Sequence, residues 1–192
     1  MPPTHIALAR EVEEFKQRFD QISQDPGALV DALTDEQFNW QPAPGSWSVA
    51  QCIEHLNTTA RLYLPQLDEA IANAIRRGTY GEGPFSYNVI GRFFTAAMEP
   101  PARFRVSAPK MFHPPAPRPR PAVMAAFRAY QVQFTDRLRQ ANGLDLARAK
   151  VRSPGAAWLR FSLGSGFALM LAHERRHLWQ ARNVVAHPGF PR

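Results

Sequence analysis

The spacing of apolar residues constrains the fold of this chain more than any other feature of the sequence. In several segments apolar side chains recur at alternating intervals of four and three residues, the period of one face of an α-helix. The first of these stripes consists of Leu8, Val12, Phe15, Phe19 and Ile22. Four long helices are predicted in this way, over about residues 4–24, 49–77, 122–141 and 163–186. Since no strand pattern or internal repeat stands out, the sequence predicts an all-α four-helix bundle.

Local signals set the expected ends of these helices. The triplet Asp25-Pro26-Gly27 is expected to end the first helix. Ser48 and Gln51 form a capping box at the start of the second helix. Pro65 lies inside that helix and is expected to kink it. Shorter helical segments are predicted over about residues 28–33, 35–38 and 88–98.

A proline-rich stretch separates the second long helix from the third. Residues 100–121 contain eight of the eighteen prolines and are predicted to be extended or polyproline-like. The stretch is long for a loop in a compact domain, so it is expected either to cover a surface or to be partly mobile. It would form a long crossover connection within a single domain spanning residues 1–192.

Composition excludes several classes of protein. Hydrophobic residues make up 45% of the chain and charged residues 20%, which is enough apolar material for a packed core. No apolar run approaches the roughly 18 to 20 residues needed to span a membrane. No secretory signal is recognised at the N-terminus, so a cytoplasmic protein is expected. The single cysteine, Cys52, excludes an internal disulfide and a four-cysteine zinc site.

Charge is distributed unevenly along the chain. Residues 1–75 hold four basic and eleven acidic residues, a net charge of −7, whereas residues 76–192 hold nineteen basic and five acidic residues, a net charge of +14. A basic half raises the possibility of a nucleic-acid partner. The arginines are spread singly and no known nucleic-acid-binding motif is present, so this partner is disfavoured. The two halves are instead expected to attract one another across one bundle, with the excess Arg left either for solubility or for attracting an anionic substrate.

Histidines interrupt the apolar stripe of the last predicted helix. His173 and His177 are four residues apart, so both imidazoles project from one face of the helix. Buried imidazoles need partners, and a divalent metal ion is one that histidine commonly binds. His55, in the second helix, could supply a third ligand if the two helices face each other. The alternative is that each is a core histidine hydrogen-bonded to another group, and the spacing alone leaves both interpretations open.

Two segments of the chain resemble those of a known family. Residues 47–56, WSVAQCIEHL, resemble the "WS…EHL" segment of the DinB-like family, also called the DinB/YfiT superfamily. Residues 172–180, AHERRHLWQ, resemble its C-terminal "HxxRHxxQ" segment. The NWQP sequence at 39–42 and the RSP sequence at 152–154 also occur where the family often has similar residues. The resemblance covers most of the chain, but the stretch from 100 to 121 matches only loosely.

This resemblance implies a fold and a site. The family has a four-helix bundle, usually with non-sequential helix pairing, and a histidine triad that holds a divalent metal ion. Carried over, His55, His173 and His177 become the ligands, with zinc or nickel the expected ion. Members with assigned activities are metal-dependent hydrolases, or transferases and isomerases that use a low-molecular-weight thiol. Many members pair through their helices, so a homodimer is expected.

Residues 173–177, HERRH, also match the H-E-x-x-H signature of zinc metalloproteases, in which Glu is the general base. Here only fifteen residues follow His177, and His187 is the sole candidate ligand among them. A protease is therefore disfavoured. Because Glu174 is rotated about 100° from the face of His173, it is expected to pair with Arg61, Arg175 or another surface base, although ordering a bound water is an alternative.

Other side chains are candidates for supporting roles. Gln180 lies on the ligand face three residues after His177 and is expected to support a ligand. Arg176 is a candidate to anchor an anionic substrate or a neighbouring carboxylate such as Glu54. Cys52, one turn before His55, could approach the metal, but a buried cysteine without chemistry is favoured.

The sequence thus predicts a divalent-metal protein that acts on a small molecule by hydrolysis or by thiol transfer, and an anion is the candidate substrate. Nothing in the residues selects one reaction. A metal-stabilised bundle without catalysis and a basic nucleic-acid-binding module remain as alternatives.

Overall fold

The helices predicted from apolar spacing are present in the structure, a computed structural model that describes residues 7–101, 109–114 and 119–192. The described residues form four long helices: α1 (Arg10–Val30), α3 (Val49–Arg76), α5 (Arg120–Gln140) and α6 (Leu163–Val185). Shorter elements are α2 (Asp35–Asn39), α4 (Val89–Met98) and a 3₁₀ turn (Lys110–Phe112). Among the described residues, no helix combines the length and apolar character needed to cross a membrane.

The four long helices pair out of sequence order. Helices α1 and α3 each pack against both α5 and α6, so α1 lies diagonally from α3, and α5 lies diagonally from α6. Helices α3 and α5 run parallel, because positions further along α3 contact positions further along α5. Asn57 bonds the Val123 carbonyl, and Asp68 pairs with Arg137. The all-α bundle with non-sequential pairing is therefore confirmed.

The core is built from the predicted apolar stripes. Phe19 of α1 stacks on Phe134 of α5 with ring centroids 5.0 Å apart, and Phe15 contacts Phe167 of α6 at 6.1 Å. The capping box of α3 has both of its hydrogen bonds, between Ser48 and Gln51. Helix α3 is thus fixed at the end that carries His55.

Helix α1 continues where the sequence predicted that it would end. It runs through Asp25-Pro26-Gly27 to Val30, so that expectation is wrong. Pro26 and Val30 are both buried, and the Asp25 carboxylate accepts a hydrogen bond from Arg182 of α6. Burial and this ion pair compensate for the backbone hydrogen bond that a proline removes. Residues 4–6 of the predicted helix lie outside the described residues.

A two-stranded hairpin, which the sequence did not predict, precedes α6. Strands β1 (Lys150–Ser153) and β2 (Ala156–Ser162) pair antiparallel, with Val151 opposite Phe161. Both of these side chains are buried, whereas Arg152 and Arg160 on the other face are exposed. The strands are too short for their alternation to be distinguished in the sequence, and packing on α3, α4 and α6 stabilises them.

Only parts of the proline-rich stretch are described, namely residues 100–101, 109–114 and 119–121. Residues 102–108 and 115–118 of the predicted crossover therefore lie outside the described residues. The part that contains the 3₁₀ turn packs against α3 and reaches the site described next.

Candidate metal centre

Three histidines from two helices meet at one point of the bundle. His55 lies in the second turn of α3, and His173 and His177 lie one turn apart on the neighbouring helix α6. One ring nitrogen of each residue lies within 4.8 Å of the other two. The ring centroids are 4.4–5.0 Å apart. The structure thus brings together the three residues that the sequence had nominated.

Hydrogen bonds at the outer nitrogens orient two of the rings. His55 Nδ1 is 2.6 Å from the backbone carbonyl oxygen of Phe112, and His177 Nδ1 is 3.1 Å from Gln180 Oε1. Both oxygens accept, so each Nδ1–H donates and each Nε2 carries a lone pair in the neutral ring. This is the arrangement that supports metal-binding histidines in proteins. Gln180, which the sequence predicts to support a ligand, thus lies within hydrogen-bond distance of His177.

The inner nitrogens are spaced like ligands of one ion. His55 Nε2 lies 3.1 Å from His173 Nε2. With zinc–nitrogen bonds of about 2.0–2.1 Å and tetrahedral angles, two ligand nitrogens would be about 3.3 Å apart. Among the described residues, His173 Nδ1 is buried without a hydrogen-bond partner. A cation at the inner nitrogens would take the place of the hydrogen bond between the two Nε2 atoms and would use the lone pair of His55 Nε2.

Burial keeps all three rings neutral. It lowers the pKa of His55 and, more strongly, that of His173. Burial, followed by the repulsion that a protonated His55 would add, lowers the pKa of His177 to about 3. Metal ligation requires neutral imidazole, so these environments hold the rings in the binding form at neutral pH.

Trp47 covers two of the rings and was not singled out from the sequence as a site residue. Its ring lies 4.8 Å from that of His55 and 5.5 Å from that of His177, nearly parallel to the latter at 30°. One sequence feature could have identified Trp47 as a site residue, namely its position immediately before the N-cap Ser48. A residue at that position places its side chain over the first turns of α3. The Phe112 carbonyl was also missed, since a backbone acceptor leaves no signature in the sequence.

Glu174 belongs to a different environment from its histidine neighbours. Its side chain is buried, and Glu174 Oε1 accepts a hydrogen bond of 2.9 Å from Gln131 Nε2 on α5. The expected pairing with Arg61 or Arg175 is wrong, because Glu174 is bound by Gln131 while Arg175 pairs with Glu99. The long polar side chain of Gln131 is buried in the core and draws the carboxyl group inward. Burial raises the pKa of Glu174 to about 8.

The remaining candidates lie around the cluster. Cys52 is fully buried one turn before His55, and burial raises the pKa of its thiol. Cys52 is not part of the ligand cluster. Arg176 Nη1 donates to the Ala97 carbonyl at 3.2 Å, and the positive charge of Arg176 contributes to the lowered pKa values of His173 and His177.

A helical bundle carrying three converging histidines defines a candidate metalloprotein, and comparison with known proteins assigns its family. The sequence model of the DinB superfamily matches residues 8–181, so the chain belongs to that superfamily. Among solved structures, it is similar to YfiT from Bacillus subtilis, described as a probable metal-dependent hydrolase with an unusual four-helix bundle topology. The TM-score is 0.61 at 14% identity, over 100% of this chain and 94% of YfiT. No curated protein sequence matches the chain.

Proposed function

We propose that this protein binds a divalent metal ion through His55, His173 and His177 and acts as a metal-dependent hydrolase of a small molecule. The observation that carries the proposal is the convergence of three imidazoles, two of which, His55 and His177, are held at their outer nitrogens by the Phe112 carbonyl and Gln180. The description of YfiT as a probable metal-dependent hydrolase supports the same class.

The residues present fit such an ion. Neutral nitrogen ligands suit zinc and its neighbours in the first transition row, and we propose zinc or nickel. An ion held by three neutral ligands keeps its positive charge and, through it, acidifies a water or a thiol that it binds. The protein contributes orientation through the two outer hydrogen bonds and excludes water from one side with the Trp47 ring.

The charge around the site favours an anionic substrate. A divalent ion with neutral ligands would be cationic, and Arg176 adds a further positive field at His173 and His177. Two acidic side chains are next to the histidines in sequence, Glu54 and Glu174. They accept hydrogen bonds from Asn57 and Gln131, respectively, and do not join the cluster. We therefore propose that Arg176 helps to attract the negatively charged group of the substrate.

Thiol transfer is the second reaction proposed for the same site. A cationic centre stabilises a thiolate as readily as it acidifies water, and the buried Cys52 offers no competing thiolate because burial raises its pKa. A low-molecular-weight thiol cosubstrate would then have to come from solution. The two reactions differ in that only thiol transfer depends on added thiol.

A nucleic-acid-binding role receives less support. Arginines of the basic half pair with carboxylates of the acidic half, as in Arg137 with Asp68 and Arg182 with Asp25. Part of the positive charge is therefore used within the bundle. The homodimer and the cytoplasmic location stay predictions, and light scattering would test the dimer.

The proposed function is tested by metal analysis followed by activity. Purified protein titrated with zinc and nickel should bind about one ion per chain, and His173→Ala should bind none. His187→Ala, which alters a histidine outside the cluster, is the matched control and should bind as the wild type does. A panel of small anionic esters and amides, assayed with and without a low-molecular-weight thiol, then separates hydrolysis from thiol transfer. The proposal fails if the wild type binds less than about a tenth of an equivalent.

A further inference from the structure

His55 contacts His173 through Nε2, and its other ring nitrogen, Nδ1, contacts the backbone carbonyl of Phe112, from a distant part of the chain. We infer that the 3₁₀ turn Lys110–Phe112 and the hairpin tip at Gly155 are positioning elements of the metal centre, with Gly155 placing Phe112 so that its carbonyl fixes His55. This inference rests on the proposed metal site. It assigns a role to two segments that contain no metal ligand.

The carbonyl determines which nitrogen of His55 is free to bind. The distance of 2.6 Å from His55 Nδ1 to the Phe112 oxygen makes this the shorter of the two outer hydrogen bonds at the cluster. A carbonyl oxygen can only accept, so the proton must be on Nδ1 and the lone pair on Nε2. Without this acceptor, His55 would be free to exchange tautomers and to rotate away from His173.

Contact with the hairpin tip holds Phe112 in place. A Cβ atom built at Gly155 would lie 2.8 Å from Phe112 Cε2 and 3.3 Å from Cζ, closer than side chains tolerate. The aromatic ring therefore occupies the space that any other residue at 155 would need. The backbone φ angle of Gly155 is outside the left-handed region, so the requirement for glycine is steric and not conformational.

Three segments of the fold thus converge behind one ligand. His55 comes from α3, Phe112 from the connection before α5, and Gly155 from the hairpin that leads into α6. Because β2 runs directly into α6, which carries His173 and His177, the same hairpin is tied to all three ligands. The hairpin therefore links the orientation of His55 to the placement of its partners.

The experiment displaces the Phe112 ring without changing a ligand. Gly155→Leu places a side chain where the ring lies, and the double variant Gly155→Leu/Phe112→Ala removes the ring so that the leucine can fill its space. Met111→Ala alters the exposed neighbour in the same turn and serves as the control. Far-UV circular dichroism confirms that each variant folds.

Two readouts follow from these variants. Nitrogen-15 NMR of the metal-free protein should show His55 as the Nδ1–H tautomer in the wild type and in Met111→Ala, and a mixture of tautomers in Gly155→Leu. Zinc affinity, measured by chelator competition, should fall about tenfold or more in Gly155→Leu, as expected when the hydrogen-bond partner of a ligand is lost. The double variant should recover the tautomer and come to within about threefold of the wild-type affinity.

The outcomes separate this inference from the proposed function. Retention of the wild-type tautomer and affinity in Gly155→Leu overturns the inference, and so does a double variant that is no better than the single one. If the wild type binds no metal, the proposed function fails, whereas the tautomer in the metal-free protein still decides whether Gly155 and Phe112 position His55.

Discussion

His173 and Glu174 are adjacent in sequence, the first half-buried and the second buried, yet they belong to two different polar sites. His173 faces α3 and joins His55 and His177, whereas Glu174 faces α5 and bonds Gln131 across the diagonal of the bundle. One step along a helix turns a side chain by about 100°, which is enough to separate the two environments. The comparison teaches that an H-E-x-x-H string in a core helix need not form one catalytic unit.

Burial acts on both sites in the same way but with opposite signs of pKa shift. It lowers the pKa of the histidines, which are neutral when deprotonated, and raises that of Glu174, which is neutral when protonated. The difference lies in the partners. The histidine cluster has inner nitrogens that face one another, whereas the carboxyl group of Glu174 has an amide partner in Gln131. The first arrangement suits a cation, and the second joins two helices.

The largest effect is expected from removing a histidine of the cluster. His173→Ala deletes one of the three proposed ligands, so zinc or nickel affinity should fall by more than about a hundredfold, beyond the loss typical of supporting residues. Metal at about 100 times its dissociation constant should stabilise the wild type by about 2.7 kcal/mol and raise its melting temperature by roughly 5–10 °C. Calorimetric melting with and without metal measures the stabilisation and the rise in melting temperature for the wild type and for His173→Ala. An equal shift in His173→Ala would show that the ion binds elsewhere.

The next effect tests whether the cluster depends on its outer hydrogen bonds. Gln180→Ala removes the acceptor 3.1 Å from His177 Nδ1, so metal affinity should fall about tenfold. Asn183→Ala, on the exposed surface one turn further along α6, is the matched control and should leave the affinity unchanged. Isothermal titration of both variants makes the comparison. Equal affinities would mean that Gln180 plays no part in positioning His177.

The helices and the histidine pair of α6 could be predicted from the sequence because their signals are local. The capping box at Ser48 and the four-residue spacing of His173 and His177 both report on one helix at a time. The meeting of His55 with this pair was expected only as a consequence of bundle packing and family resemblance. The sequence therefore predicted which residues form the site better than it predicted what surrounds them.

The errors concern contacts that join distant segments. Pro26 is compatible with a helix here because the core buries it, and Glu174 is paired by Gln131, forty-three residues earlier in the chain. The hairpin was missed because its strands need α3 and α6 behind them. Such features depend on tertiary burial, which overrides local propensity and leaves no periodic pattern to recognise.

A smaller effect is expected from the aromatic cover of the cluster. Trp47→Leu replaces ring contacts with His55 and His177 by aliphatic ones. We expect a net loss of about 1 kcal/mol, the size of one aromatic contact, so metal affinity should fall about fivefold. The outer hydrogen bonds remain, which is why the loss is smaller than for a ligand. Trp158→Leu alters a tryptophan that is 83% exposed and is the control. A loss as large as that of His173→Ala would indicate that Trp47 holds the cluster together.

The smallest effect on the metal centre is expected from Glu174→Gln, which sharpens the comparison most directly. Metal affinity and metal-dependent activity should stay within about twofold of the wild type, since the carboxyl group faces Gln131.

The pH dependence of stability should respond to Glu174→Gln instead. The ordinary pKa of 4.5 is raised to about 8, so in the wild type the folded state binds more protons than the unfolded state between these values. As the pH rises through this window, the free energy of unfolding of the wild type should therefore fall, relative to that of the variant, by about 1.4 kcal/mol for each pH unit. The free energies of unfolding of the two proteins should differ least below pH 4.5. Urea unfolding of metal-free protein at pH 5, 6.5 and 8 measures the slope. A variant that binds metal normally but loses activity would instead make Glu174 a general base and unite the two sites.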